Sequence, residues 1–339
     1  MNDGILFGYE GSYKPDDIYK IKTLPKVLVI SHGGIKGFYE LGYLCVLYER
    51  GIMSELDTYI GESVGSIISL LLICGYTPKE VVNIALISEM LTMACIGSMV
   101  EAWLNKGILS LDRIQYTLTH YVKQKFLHIP TYKTLFEITG KTLCTVSLAL
   151  SGTSYKTTYF NPIDTPDVSC VEGVLLSVII PFIIESRRFE GHMHIDGAIG
   201  NPYPVDQYDD GETSILGISV TTKYLEMEDD VHIMNQVVNR IIHLYQLFDA
   251  FTECHKNRII SNCSNKVIHM NIEDDTLDFT GLTKNLKDKS KMIHKGVMCA
   301  EDDLAKIKWI SNGVESLVRK RPRDRVCNRK VKRSRRDSL

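Results

Sequence analysis

Residues 56–76 read LDTYIGESVGSIISLLLICGY, and the order of residue types in that stretch decides the fold. A short apolar run, LDTYIG, closes on Gly61, and a longer one, SVGSIISLLLICGY, opens at Ser63. The first has the length of a buried strand and the second that of a buried helix, so the chain must turn sharply between them. Upstream, KVLVIS (26–31) runs into the glycines of SHGGIKG (31–37). FYELGYLCVLYERG then carries apolar residues at helical spacing as far as Gly51, which suits a helix C-terminus. Strand, glycine turn and helix, given twice, predict a βαβα start and a mainly parallel sheet covered by helices.

The same reading continues along the chain. Residues 77–135 read mainly as helix, TLCTVSLAL (142–150) and KTTYFNP (156–162) as strands, and EGVLLSVIIPFII (172–184) as a helix stopped near Pro181. HMHIDGAIGNPYPVD (192–206) is a short strand entering a turn-rich loop, and TSILGISV (213–220) a core strand. Helical spacing returns from 229 to about 260, KVIHMNI (266–272) is a late strand, and 282–318 reads as amphipathic helix. The expected organisation is an N-terminal extension over 1–25, an α/β domain over 26–206, a strand and helices packing on it over 207–318, and a basic tail over 319–339.

The net charge of −2 conceals that tail, where 11 basic residues stand against one acid between Arg319 and Arg336, so the rest of the chain is acidic. Such a run reads as a solvated, disordered segment, as an attachment to anionic lipid, or as a nuclear-localisation or nucleic-acid-binding segment. Nine cysteines without CxxC pairs read as reduced and intracellular rather than as disulfides or zinc ligands. The N-terminus lacks the basic start and apolar core of a secretory signal. The longest apolar runs fall short of the roughly 20 residues that span a bilayer. The expected location is therefore intracellular, in the cytoplasm or peripherally on a membrane, with the nucleus open to it through the tail.

Three short motifs carry the chemistry. GESVG (61–65) fits G-x-S-x-G, in which a strand turns into a helix with the serine at the apex and the glycines either side keep Cβ atoms out of the turn. The helix N-terminus behind Ser63 directs unsatisfied N–H groups and a positive dipole end at the reaction centre. In SHGGIKG the adjacent Gly33 and Gly34 let backbone N–H groups form an anion-binding nest. Neither a P-loop nor a G-x-G-x-x-G dinucleotide pattern is complete there. HIDGA (194–198) sets Asp196 at a strand end, where a carboxylate can act as base toward a hydroxyl, although Asp-Gly is also a common turn dipeptide.

Glycine nest, serine elbow and Asp-Gly-Ala, in that order and each at a strand end, resemble the patatin-like phospholipase family over about 26–206. LLSVIIPFII before Asp196 and DFTGLTKNLKDKSKMIHKGVMCA (278–300) resemble further parts of it. The resemblance implies a three-layer α/β/α fold with a helical C-terminal part, and a lipid acyl hydrolase with a Ser63–Asp196 dyad. Gly33, Gly34, Lys36 and Gly37 match the family's glycine-rich loop, Gly61 and Gly65 its elbow, and Asp196, Gly197 and Ala198 its aspartate motif. It implies an acyl-enzyme intermediate, no cofactor and no metal, and a lipid substrate met at a membrane surface. His32 replaces a glycine usual in that loop, and Asn201 lies one residue nearer Asp196 than the family's asparagine.

Competing readings stay open on the residues alone. A Ser–His–Asp esterase of α/β-hydrolase type would draw its histidine from His232, His243, His255, His269 or His294. A non-catalytic module would use the glycine nest to hold a lipid phosphate. His192 and His194 form an H-x-H without a third ligand at metal-site spacing. Phospholipase A, lysophospholipase, triacylglycerol lipase and transacylase are not distinguished by these motifs.

Overall fold

The first two strand–turn–helix units form where the spacing predicts them. In the computed structural model, which describes residues 20–88, 111–181, 184–222, 233–274, 285–311 and 314–315, β2 (Val27–Ile30) leads to α1 (Gly37–Glu49), and β3 (Thr58–Glu62) to α2 (Val64–Ile73). A preceding strand, β1 (Lys20–Thr23), lies in the stretch read as an extension. Three helices follow, α3 (Pro78–Ser88), α4 (Asp112–Phe126) and α5 (Tyr132–Thr139), and then the antiparallel pair β4 (Thr142–Ser151) and β5 (Ser154–Phe160). Next come α6 (Cys170–Ser177), β6 (Arg187–Phe189), β7 (His192–Asp196), β8 (Ile215–Thr222), α7 (Ile233–Asn262) and β9 (Val267–Asp274). The chain closes with α8 (Leu286–Leu304), β10 (Ile307–Ser311) and β11 (Val314–Glu315). The basic tail and residues 1–19 lie outside the described residues, as do 89–110 of the stretch read as helix and 278–284 of the late motif.

An eight-stranded sheet runs through the molecule in the order β6-β7-β4-β3-β2-β8-β9, with β5 also on β4. The pairs β4–β3, β3–β2, β2–β8 and β8–β9 are parallel. The central strands are apolar at consecutive positions because both faces are covered, as parallel sheets require. On β2, Leu28 and Ile30 enter one core with α1, α2, α6 and α8, while Val27 and Val29 enter a second with Tyr203, Val205 and Ile259 of α7. This is the α/β/α layering the motifs imply.

The register of β4 is the feature that builds the site. Thr142–Val146 pair with β3, Ser147–Leu150 pair with β7, and Thr145–Ser151 pair with β5. A strand has only two edges, and β5 overlaps both other partners, so β3 and β7 share the opposite edge. They arrive from opposite directions and meet end to end, Glu62 against Val146 and Asp196 against Ser147, one residue step of roughly 3.4 Å along β4.

Two sequence readings are corrected. The helix before the aspartate ends at Ser177, short of Pro181, because residues 178–180 turn to present the Ile179 carbonyl to the Asp196 N–H at 2.7 Å. Helix does not continue to 318 either: after Leu304 the run IKWIS pairs in parallel with β1 and buries Trp309.

Helices α1 and α8 pack closely enough to need glycine on both sides. A Cβ at Gly42 would overlap the Ile293 carbonyl, and one at Gly296 the Tyr39 carbonyl. Alanine at either position forces two backbones apart, and a loss of about 1–3 kcal/mol is expected. Thermal or denaturant unfolding of Gly42→Ala and Gly296→Ala checks it.

Candidate active site

Ser63 stands between β3 and α2 with φ 52° and ψ −123°, and only Leu127 and Glu190 among the other described non-glycine residues have positive φ. A β-carbon in that region is strained, and the strain persists only where the surroundings impose it. Here they do, because β7 occupies the β4 edge ahead and the chain must leave the sheet at residue 63. Both flanking glycines are needed for the exit. A Cβ at Gly61 would strike the backbone of Gly65 and Ser66, and one at Gly65 the Ile30 and Ser31 carbonyls. The Ser63 N–H donates to Ser177 Oγ at 3.0 Å, and Ser66 Oγ donates back to the Ser63 carbonyl at 2.6 Å. Although Ser63 is the N-cap of α2, its hydroxyl makes no capping bond.

Asp196 ends β7 and is buried at 2% exposure. Its Oδ1 accepts the Ala198 N–H at 3.0 Å, while Oδ2 is buried without a hydrogen-bond partner. Gly197 passes so close to Val146 that a Cβ would overlap its carbonyl, which explains glycine after the aspartate. Ser177, the last residue of α6, and Ile179, two residues on, thus hold the backbones of Ser63 and Asp196 respectively. Ser63 Oγ and the Asp196 carboxylate are not hydrogen-bonded to each other.

The loop from β2 completes the arrangement. Gly34 has φ 54°, and the Lys36 N–H donates to the Gly33 carbonyl at 2.9 Å, closing a short 3-10 turn before Gly37 opens α1. No acceptor is found for the Gly33 and Gly34 amides among the described residues. The Lys36 ammonium is buried and lies 3.5 Å from Asp249 of α7. Asn201 Nδ2 donates to Tyr159 Oη and Asp206 Oδ1, so its amide braces the loop after Asp196.

His32 and Glu62, which the motifs leave without a role, make the most connected contacts here. His32 Nδ1 is 3.0 Å from Glu62 Oε2 and 3.3 Å from the Pro202 carbonyl. Its Nε2 is 3.3 Å from Thr252 Oγ1 and 3.7 Å from Asp249 Oδ1, both on α7. Burial lowers the His32 pKa, but Glu62 and Asp249 outweigh that and raise it to about 10. Burial pushes Glu62 well above the carboxylate range, His32 opposes this, and the adjoining Asp196 carboxyl, within hydrogen-bonding reach, adds to it. A sequence signal for this pair existed: a histidine where the nest has a glycine, and an acid inside the elbow.

The downstream histidines lie elsewhere. His255 and His294 are exposed, and His269 contacts Tyr203 Oη at 3.2 Å, its pKa pushed down to about 4 by burial. His194 is 2.8 Å from Ser147 Oγ. His232 and the His243 side chain lie outside the described residues. Among the described residues no group of three or more His, Cys, Asp or Glu side chains is arranged to hold a metal, and no helix is long and apolar enough to cross a membrane.

Several known proteins are similar to this chain. The family model described as patatin-like phospholipase matches residues 28–209. The chain is 31% identical over 216 residues to the probable lipid hydrolase 463L of Invertebrate iridescent virus 6, covering 61% of this chain and 73% of that protein. It is 25% identical over 291 residues to the uncharacterized protein R571 of Acanthamoeba polyphaga mimivirus, covering 83% and 94%. The crystal structure of VipD from Legionella pneumophila aligns with a TM-score of 0.48 at 17% identity, covering 87% of this chain and 72% of that one.

His32 and Glu62 both bind protons more tightly in the fold than in an unfolded chain. The stabilisation they provide is full below their unfolded values and is lost as pH rises through the folded ones, for His32 between 6.5 and about 10. The melting temperature is therefore expected to fall with pH across that window, and to fall less steeply in His32→Gln. Melting curves of the two proteins at matched ionic strength check it.

Proposed function

The chain belongs to the patatin-like phospholipase family, as an ester-hydrolysing enzyme acting on lipid, and we propose that Ser63 is its nucleophile and Asp196 the base that takes the serine proton. The observation that carries this reading is the end-to-end meeting of β3 and β7 on one edge of β4. It brings together a serine on a strained elbow and a buried carboxylate, 133 positions apart in the chain, and one oxygen of that carboxylate has no hydrogen-bond partner.

In the first half-reaction Ser63 Oγ bonds to the carbonyl carbon of a fatty-acyl ester while its proton passes to Asp196. The carbonyl oxygen becomes an oxyanion facing the Gly33 and Gly34 amides, donors of a kind worth about 3–4 kcal/mol each in well-studied cases. As the tetrahedral species collapses, the ester C–O bond breaks, the proton moves from Asp196 to the departing alcohol, and an acyl-serine remains. Water then attacks that ester, giving a proton to Asp196, and the fatty acid leaves as the proton returns to Ser63 Oγ. Aspartate is a weak base toward a hydroxyl in water, so the reaction relies on burial and on donors already in place. Lys36, engaged with Asp249, pins the loop that carries those donors. The substrate class is a phospholipid or related acyl ester, met at a lipid surface. Residues 26–206 carry the catalytic groups, and β8, β9 and the later helices pack on them. Among the described residues no histidine is hydrogen-bonded to Ser63, so none of them supplies the third member of a triad.

A serine-directed fluorophosphonate is expected to modify Ser63, and peptide mapping locates the adduct. Ser63→Ala and Asp196→Asn should each lower hydrolysis of a short-chain acyl ester by on the order of a thousandfold or more. An adduct on another residue, or an active Asp196→Asn, would overturn the dyad.

A further inference from the structure

We infer that Glu62 is a positioning residue for this reaction, bound between His32 and Asp196 so that its carboxylic acid donates a hydrogen bond into the Asp196 carboxylate. The inference rests on the dyad reading and adds to it. Two buried oxygens near the reacting groups lack a partner, Glu62 Oε1 and Asp196 Oδ2. They belong to carboxyl groups within hydrogen-bonding reach of each other, at the abutting ends of β3 and β7. Two carboxylates cannot satisfy each other, but a carboxylic acid and a carboxylate can. One proton on Glu62 Oε1 supplies both missing bonds.

The charges around the pair decide which form is present. The His32 imidazolium, from the glycine loop, holds the other Glu62 oxygen. From α7, Asp249 faces His32 and Lys36, and Lys256 is bonded to Glu253 and Thr221. From α1, Glu40 is fully buried beside Ser31, its pKa raised well above the usual range by burial. From β7, His194 turns to Ser147. With Glu40 and Glu62 neutral, the cations His32, Lys36 and Lys256 balance the anions Asp249, Glu253 and Asp196. An ionised Glu62 would leave a surplus negative charge in a buried cluster, pressed against a second carboxylate. A neutral Glu62 removes part of what raises His32, but Asp249 still faces the imidazolium.

The consequence for the reaction is geometric. A carboxylate offers about four lone-pair sites. Ala198 N–H takes one on Oδ1 and Glu62 one on Oδ2, which fixes the carboxylate plane and leaves the remaining sites for the serine proton. The donated bond holds the Asp196 carboxylate in one orientation, so losing it should slow the transfer of the serine proton. His32, anchored to α7 and Pro202, sets the rotamer of Glu62.

The test is the rate of fluorophosphonate labelling at Ser63 in the full chain. Glu62→Leu removes the donor, so the labelling rate should fall about tenfold. Glu62→Gln keeps a donor and an acceptor in the same shape and should recover most of that rate. Since the glutamine variant is isosteric, it tests the idea even if Glu62→Leu folds poorly. A parent-like rate in Glu62→Leu, or a loss in Glu62→Gln as deep as in Glu62→Leu, overturns the role given to Glu62 and leaves the dyad standing. A parent that labels at another residue sinks the dyad and this inference with it.

Discussion

The site depends on a conflict over one strand edge. β4 is long enough to carry β3 along its first half and β7 along its second, on the same side, because β5 holds the other edge. Neither β3 nor β7 can extend past the Val146–Ser147 junction without displacing the other. Each must leave the sheet there, and both exits use the same devices: a buried polar residue at the strand end, and a glycine where the backbone crowds its neighbour. The strained backbone of Ser63 is thus set by pairing across the whole sheet, and its strain energy is offset by ladders many residues long.

The C-terminal end of α6 and the residues just after it serve both exits together. Ser177 takes the amide of Ser63 and Ile179 takes that of Asp196, so a shift of this segment would move both residues in the same sense. On the other side, α7 reaches the glycine loop through Asp249 and Thr252, which meet Lys36 and His32. The reaction centre therefore lies between two anchors drawn from distant parts of the chain. The α7 contacts are largely charged and buried, where losing one partner strands the other.

What could be read from the sequence was local. Gly61, Ser63 and Gly65 announce an elbow because a strand, a turn and a helix follow each other within twenty residues, and the Gly33–Gly37 loop is legible for the same reason. The partnership of Glu62 with His32 and Asp196 was not, since it needs the β4 register and the position of α7, neither of which leaves a periodic trace. Glu62 read only as a polar residue in an apolar stretch, and His32 only as a departure from a glycine pattern. The end of α6 was missed because VIIP continues the apolar run while the backbone turns to serve Asp196. The small sheet of β1, β10 and β11 was missed because KIKT and IKWIS are short, and their pairing joins segments nearly 290 positions apart.

That last pairing bears on how the chain comes to be finished. Lys20–Thr23 waits for Ile307–Ile310, and β2, an interior strand of the large sheet, waits for β8. A protein whose earliest segments close on its latest ones has high contact order, so its loop-closure entropy is met late and non-local ladders form slowly. While emerging from the ribosome, the N-terminal half holds the nucleophile elbow but not the strands and helices that enclose it. The partners of His32 and Lys36 come only with α7, so a product cut short before it would expose sticky sheet edges instead of a finished site.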